Sequence, residues 1–133
     1  MNICLFGDNK VGKSTLLAKL AEIDISSVTN PQRVMIGDFE YFIWDCPELS
    51  DYKRSIGAIV LFDISDKESY NTIGKWVKEY KAICPDMPVL PVGNKYDLGD
   101  VSEMNNITKV SVKDESRKEL VDKIFYQARG MRI

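Results

Sequence analysis

The chain has 133 residues, 44% of them apolar, with 18 Lys plus Arg against 20 Asp plus Glu. This length and composition predict one compact domain, residues 1–133. A formal charge of -2 provides no basic excess for a phosphate backbone, so we expect no nucleic acid partner. The chain has no His, which excludes Ser-His-Asp triads, His-assisted Cys nucleophiles and His-based zinc sites.

The cysteines and the apolar runs bear on where the protein resides. Cys4, Cys46 and Cys84 are odd in number and widely spaced, which fits a reducing compartment, and we expect a cytoplasmic protein. The longest apolar run, residues 56–62, is too short to cross a bilayer. Residue 2 is Asn2 rather than Gly and the sequence ends without a Cys, so we expect neither N-myristoylation nor prenylation.

Short apolar runs alternate along the chain with segments of helical period, which is typical of an α/β domain with a mostly parallel sheet. Residues 2–6 predict a buried first strand, and residues 13–23 predict a helix. Residues 33–36 and 39–44 flank a Gly-Asp pair and therefore predict an antiparallel hairpin.

The second half of the chain continues this alternation. Residues 58–62 are apolar without polar alternation, as expected of a strand covered on both faces. Residues 65–68 have the form of a capping box, and apolar residues follow them at helical spacing. The remaining predicted elements are strands at residues 88–92 and 107–112 and a closing helix at residues 114–129. Pro91 is expected to weaken the end of its strand because it has no N–H to donate.

The segment between the first strand and the first helix reads GDNKVGKS over residues 7–14 and fits the pattern G-x-x-x-x-G-K-[ST]. Such glycines permit a tight turn whose backbone N–H groups point at phosphate oxygens, at the positive end of a helix dipole. Lys13 is the candidate catalytic residue, neutralising β and γ phosphates, and the Ser14 hydroxyl is a candidate Mg²⁺ ligand. The alternative is a chance glycine loop. The predicted phosphate-binding residues are Asn9, Lys10, Val11, Gly12, Lys13, Ser14 and Thr15.

A second polar string, NKYD at residues 94–97, follows the fifth strand at the sheet edge where ligands of such sheets bind. Guanine carries adjacent N1–H and N2–H donors that one carboxylate can accept, and adenine does not, so Asp97 is the predicted base reader. The Lys95 stem can lie against the purine face, and Asn94 can tie this loop to the phosphate loop. Alone, such a string is more often a polar turn.

Two further positions complete the predicted site. Ser111, Val112 and Lys113 follow the sixth strand and can supply the Val112 N–H to the base carbonyl and a second Lys stem, although a polar turn is the alternative. Asp45 ends the second hairpin strand, where a carboxylate can hold Mg²⁺ through water. Its alternative is a solvated strand-end Asp.

These motifs, with the run YKRSIGAIVLFDIS at residues 52–65, resemble the Ras superfamily of small GTPases, in particular its Rab branch, over nearly the whole chain. The resemblance implies a P-loop NTPase fold whose six-stranded sheet is mostly parallel with one antiparallel strand. It also implies GTP and GDP with Mg²⁺ as cofactors, attack of water on the γ-phosphate, and an effector or regulator protein as partner.

The chain departs from the family where hydrolysis takes place. The family reads D-T-A-G-Q where residues 45–49 read DCPEL. Glu48 puts a carboxylate near the phosphates, and Pro47 stiffens the approach. Leu49 replaces the Gln that orients water and has no donor or acceptor, so we expect slow hydrolysis. The alternative is a pseudo-GTPase interaction module that binds guanine nucleotide without significant hydrolysis. An ATP-dependent P-loop kinase is disfavoured because Asp97 should reject adenine.

The family's switch threonine has one plausible counterpart, Thr29, a third candidate Mg²⁺ ligand beside Ser14 and Asp45. Ser26 and Ser27 compete for this role, and simple loop capping by Thr29 is an equal alternative.

Short connections predict a reduced set of helices. Only 11 residues separate Asp45 from Gly57, and only 13 separate Asp97 from Ser111. Both spacings are too short for the family's usual helices. We therefore expect the sheet face near the fifth and sixth strands to be thinly covered and available to a partner protein or a homodimer.

Overall fold

A computed structural model of the chain describes residues 1–8, 10–45, 47–100 and 107–127. The strands are β1 (Asn2–Phe6), β2 (Gln32–Ile36), β3 (Phe39–Asp45), β4 (Ser55–Asp63), β5 (Val89–Asn94) and β6 (Thr108–Lys109). They form one sheet in the order β2-β3-β1-β4-β5-β6. The β2–β3 pair is antiparallel and the other pairs are parallel, which confirms the predicted fold class.

The α-helices are α1 (Lys13–Ala21), α2 (Leu49–Tyr52), α3 (Lys67–Asn71), α4 (Ile73–Ile83) and α5 (Arg117–Val121). Short 3-10 turns lie at Ile25–Ser27 and Tyr96–Leu98, and α5 continues as a π-helical segment over Asp122–Gln127. Within the described ranges, no helix has the length and apolarity needed to cross a membrane.

The predicted helix α1 ends two residues early, and the predicted last helix begins three residues late. Glu22 takes a left-handed conformation with φ 59°, which ends α1 before residue 23. Ser116 caps α5 by accepting a hydrogen bond from the Glu119 N–H, while the Glu119 carboxylate receives the Ser116 N–H. A capping box of this kind fixes the first turn after residue 116 rather than at residue 114.

The capping box predicted at residues 65–68 is also corrected. Asp66 is the cap of α3, since its carboxylate accepts from the Glu68 N–H at 3.0 Å. The Ser65 hydroxyl instead donates to Asp63 Oδ1 at 2.5 Å. The predicted single helix is divided into α3 and α4 at Thr72.

Pro91 lies inside β5, which continues two residues past its predicted end. In a parallel strand, the backbone groups of alternate residues form hydrogen bonds with the strands on opposite sides. The Gly93 carbonyl, which lies on the same edge of β5 as Pro91, accepts a hydrogen bond from the Val110 N–H at 2.8 Å. The described part of β6 pairs only with Val92 and Gly93. Because the described part of β6 does not pair with Pro91, the absence of an N–H at this residue removes no hydrogen bond to β6. The strand therefore continues through Pro91.

Both faces of the sheet are covered. On one face Ile3 and Leu5 of β1 pack in a core cluster with apolar residues of α1, α5 and the hairpin. On the other face Cys4 and Phe6 pack with residues of α2 and α4. Because successive side chains of β1 point to opposite faces of the sheet, both faces of this strand are buried, and the loop that begins at Gly7 leaves the sheet between the two apolar clusters.

A small apolar cluster lies near the end of the sheet at β5 and β6. Phe62, Ile64 and Ile107 are buried there, and Tyr70 and Ile73 pack against them. Tyr96 and Leu98, which follow β5, are exposed at 50% and 66%, so the predicted thin cover and the partner or homodimer contact stay predictions.

Candidate functional site

The loop between β1 and α1 has a backbone that requires glycine at two positions. Gly12 is the N-cap of α1 with φ 101°, and a Cβ there would lie 2.6 Å from the Asn94 side-chain nitrogen. A Cβ on Gly7 would collide with the Leu61 carbonyl oxygen. Asn9, predicted to bind phosphate, lies outside the described residues. The two motif glycines are therefore set by close contacts to β4 and β5.

The N-terminus of α1 is open to a ligand. Helix α1 has no acidic residue in its first turn, and Gly12 has no side chain to cap it. Ser14 and Thr15 are exposed at this end, while Leu16 and Leu17 behind them are buried. A helix N-terminus with no side-chain cap and no acidic residue in its own first turn favours an anion.

Lys13 and Asp45 form an ion pair at the same end of α1. Lys13 is 9% exposed, and its Nζ lies 2.9 Å from Asp45 Oδ1 at the end of β3. This carboxylate oxygen is buried and accepts no geometrically regular hydrogen bond. The Asp45 backbone is held from both sides by Asn30, which donates to its carbonyl at 2.8 Å and accepts its N–H at 3.0 Å. No motif in the sequence points to Asn30.

The donor set around this ion pair suits Mg²⁺. The Ser14 hydroxyl and the Asp45 carboxylate are hard oxygen ligands of the kind that this cation prefers, and the Asp45 oxygen that faces the Lys13 ammonium at 2.9 Å already lies in a position that attracts positive charge. Thr29 is occupied differently, since its hydroxyl donates to the Pro31 carbonyl at 3.0 Å and its N–H donates to Gln32 Oε1 at 2.8 Å. These contacts match the loop-capping alternative.

A cavity of about 220 Å³ joins the phosphate loop to the two predicted base loops. It is lined by Gly12, Thr15, Asn94, Lys95, Asp97, Leu98, Ser111, Val112 and Lys113. Three segments far apart in sequence thus meet at the carboxyl edge of the sheet, as expected for this fold. Leu98 is the lining residue that the motifs did not indicate.

Asn94 ties the two loops together as predicted. Its side chain is buried, donating to the Val11 carbonyl at 2.9 Å and accepting the Val112 N–H at 2.9 Å. The Val112 N–H is thus already used by Asn94, which differs from the prediction that it is free to meet a base carbonyl. A buried amide with both ends bonded holds the phosphate loop and the base loop at a fixed separation.

Asp97 is oriented by the loop after β6. Ser111 Oγ donates to Asp97 Oδ1 at 2.9 Å, and Lys113 Nζ lies 3.8 Å from Asp97 Oδ2. One third of the Asp97 side chain stays exposed toward the cavity side of this loop. The arrangement presents a carboxylate held in place by a hydroxyl, which suits adjacent N–H donors on a ligand.

Lys95 spans the cavity from the base loop to the phosphate loop. Its Nζ donates to the Lys10 carbonyl at 2.9 Å and lies 3.5 Å from Asp63 Oδ2. The charged end of Lys95 is therefore fixed at the phosphate loop, and its apolar stem lines the cavity, where a flat ring can pack on it.

Of the described residues that follow Asp45, Pro47, Glu48 and Leu49 carry no side-chain group that donates a hydrogen bond at neutral pH. Pro47 has no N–H, Leu49 is 59% exposed with no polar atom, and the Glu48 N–H donates to Asp51 Oδ2 at 3.0 Å. Helix α2 is a single turn, in agreement with the short spacing from Asp45. Cys46 lies outside the described residues.

Helix α2 is anchored by one aromatic residue. Tyr52 is 2% exposed and packs edge-on against Phe6, with ring centroids 5.4 Å apart. Its hydroxyl donates to Glu79 Oε1 at 3.0 Å, and its carbonyl accepts from Ser55 Oγ at 2.6 Å and from Cys84 Sγ at 3.1 Å. These contacts fasten α2 to β4 and α4.

Comparisons with known proteins agree with this geometry. A model described as the Ras family matches residues 47–127. The chain is 29% identical over 123 residues to the Ras-related protein Rab-31 of Rattus norvegicus, and 30% identical over 123 residues to Rab-22A of Homo sapiens. Each alignment covers 78% of this chain and 63% of the relative.

A plant relative gives the same pattern. The chain is 31% identical over 123 residues to the Ras-related protein RABA5a of Arabidopsis thaliana, covering 77% of this chain and 55% of that protein. The chain therefore spans about 63% of the length of Rab-31 and Rab-22A. What these full-length proteins do is not carried over by the alignment alone.

Proposed function

The chain belongs to the Ras family of small GTPases, and we propose that it is a Rab-type domain that binds GTP and GDP with Mg²⁺ and hydrolyses GTP slowly. The observation that carries the proposal is the cavity in which Asn94 joins the Gly12 loop to the loop that orients Asp97. One carboxylate at one end and a helix N-terminus at the other fit a guanine base and a polyphosphate.

The phosphate end supports binding of a charged chain of phosphates. Lys13 supplies a buried positive charge next to the N-terminus of α1, and phosphate oxygens would compete with Asp45 for that charge. Ser14 and Asp45 would hold Mg²⁺, which offsets the charge that develops on the phosphates. In the reaction, water attacks the γ-phosphorus as the bond to the β–γ bridging oxygen breaks, giving GDP and inorganic phosphate.

Slow hydrolysis follows from the segment after Asp45. The Pro47 and Leu49 side chains have no polar atom to orient an attacking water, and Glu48 adds negative charge to a region that must accept a γ-phosphate. Lys13 and the α1 N–H groups still favour the transition-state charge.

The same segment favours a second candidate function, a pseudo-GTPase interaction module. In this case the domain holds guanine nucleotide for its structure and acts through its surface, with no significant hydrolysis. An effector or regulator protein as partner, a homodimer and a cytoplasmic location remain predictions for either function.

A single-turnover assay separates the two functions. The protein is loaded with GTP and Mg²⁺, and phosphate release is followed against GTP in buffer alone. We expect a rate above the solution background that falls when Lys13 is replaced by Met. A rate equal to the background, with GTP still bound to the protein, identifies the interaction module.

A further inference from the structure

Lys19 of α1 donates hydrogen bonds to the loop of residues 111–115, which orients Asp97. Lys19 Nζ donates to the Val112 carbonyl at 2.5 Å, to the Lys113 carbonyl at 3.2 Å and to the Glu115 carbonyl. An ammonium group has three N–H donors, and the three carbonyls match them in number. Lys19 lies in the last turn of α1, 93 residues from Val112 in sequence.

The carbonyls converge because the loop is a tight turn. The Asp114 and Glu115 N–H groups both donate to the Ser111 carbonyl, at 3.0 Å and 2.8 Å. This turn directs the neighbouring carbonyls toward α1, where their partial negative charges would repel one another without a cation between them. Lys19 supplies that cation from a half-buried position.

Ser111 connects the loop that Lys19 holds to the Asp97 carboxylate, the predicted base reader. Ser111 begins the turn, its N–H donates to Glu115 Oε1 at 2.6 Å, and its hydroxyl donates to Asp97 Oδ1. A shift of the turn therefore moves the hydroxyl that orients Asp97. Because α1 also presents its N-terminus to the phosphates, Lys19 connects the phosphate-binding helix to the base end of the cavity.

We propose that Lys19 is a positioning residue that sets the selectivity for guanine by holding residues 111–115 against α1. This inference rests on the proposed function. Lys19 touches no ligand itself and acts through the Val112 and Lys113 carbonyls.

Arg117 provides a matched comparison. Its Nε donates to the Leu20 carbonyl at 2.8 Å and its Nη2 donates to the Met35 carbonyl. Arg117 thus fastens α5 to α1 and to the hairpin without contacting the base loop. Lys118 is exposed on the same turn of α5 and serves as a neutral control.

The first experiment measures amide hydrogen exchange in the purified protein and in the variants Lys19→Met, Arg117→Met and Lys118→Met. We expect Lys19→Met to speed exchange of the Ser111 and Val112 amides about tenfold while the β4 amides are unchanged, since a charged hydrogen-bond network has been removed. Arg117→Met and Lys118→Met should leave these two amides as they are.

The second experiment titrates GDP, ADP and pyrophosphate into the same variants. We expect Lys19→Met to lower the affinity for GDP about tenfold, because the base contact depends on the loop. The affinities for ADP and pyrophosphate should change less than about twofold. Lys19→Arg, which keeps the charge, should restore GDP binding to within about threefold of the wild type. If Lys19→Met does not fold, Lys19→Gln enters both experiments.

The outcomes separate the two proposals. A wild-type protein without preference for GDP over ADP overturns the proposed function, and the exchange experiment still decides whether Lys19 holds the loop. Unchanged exchange at Ser111 and Val112, or an equal loss of GDP and pyrophosphate binding, overturns the role of Lys19.

Discussion

The two ends of the candidate site differ in how completely they are built. At the base end, Asn94, Asp97, Ser111 and Lys95 are joined to one another or to the phosphate loop by hydrogen bonds of 2.9 Å. At the γ-phosphate end, the segment after Asp45 offers a proline, a leucine and an added carboxylate. This difference is what we expect of a site that holds a nucleotide and activates water poorly, as proposed above.

On the proposed function, nucleotide binding and hydrolysis would depend on separate segments of the fold. The base end is built on the carboxyl ends of β5 and β6, which are fixed by the sheet. The γ-phosphate end depends on the connection between β3 and β4, which is short and anchored at Tyr52. We therefore expect substitutions in the connection between β3 and β4 to leave the base end of the site unchanged.

The largest effect is expected from Lys13→Met. The change removes the buried cation of the phosphate loop and leaves the Asp45 carboxylate unpaired, so GDP affinity should fall by about 100-fold or more. Isothermal titration calorimetry measures it, with exposed Lys78→Met as the control. A GDP affinity within about threefold of the wild type would show that Lys13 does not contact the phosphates.

Asp97→Ala tests the base end alone. Loss of the carboxylate should lower the affinity for GDP about 30-fold and leave the affinity for ADP unchanged, because only guanine offers the paired N–H donors. The exposed Asp86→Ala is the matched control in the same titrations. Equal losses for GDP and ADP would place the effect in folding rather than in base recognition.

The double variant Glu48→Gly with Leu49→Gln tests the γ-phosphate end. Removing the carboxylate and adding an amide that orients water should raise the single-turnover hydrolysis rate about tenfold. GDP affinity should stay within about twofold, since the base end is untouched. Leu49→Met, which keeps an apolar side chain, is the control. If the double variant hydrolyses GTP at the wild-type rate, another feature limits the reaction.

A smaller effect is expected at alkaline pH from groups buried beneath α2. Burial raises the pKa of Tyr80 to about 12 and that of the Cys4 thiol to about 11. A group with a raised pKa stabilises the fold below its unfolded pKa and loses that contribution as the pH rises through the folded value. For Tyr80 the loss amounts to about 1 kcal/mol at pH 11.

Tyr80→Phe isolates this contribution. Urea unfolding at pH 8 and at pH 11 should show a shallower loss of unfolding free energy in the variant than in the wild type, because Phe does not ionise. Exposed Tyr96→Phe should behave as the wild type. An identical loss in Tyr80→Phe and the wild type would mean that Tyr80 ionises as easily in the folded protein as in the unfolded chain.

Much of the fold and the base end could be predicted because their signals are local. Apolar runs mark the strands, and the glycines and Lys13 stand at fixed spacing in the phosphate loop. The tie between Asn94 and Val11 followed from placing two motifs at the same sheet edge, and the structure confirms it.

The remaining contacts depend on tertiary proximity. Asn30 meets Asp45 across 15 residues of chain and Lys19 meets Val112 across 93, and no spacing pattern connects either pair. The competition between Ser65 and Asp66 for the α3 cap was decided by Asp63, which attracts the Ser65 hydroxyl. Tyr70 and Ile73 pack against Phe62, Ile64 and Ile107, and the helical period alone does not fix the direction of these two side chains.

The most direct test is a calorimetric titration of the wild-type protein with GDP, GTP and ADP, with and without Mg²⁺. We expect binding of both guanine nucleotides, strengthened by Mg²⁺, and no comparable binding of ADP. A protein that takes up none of the three, or that binds ADP as tightly as GDP, would contradict it.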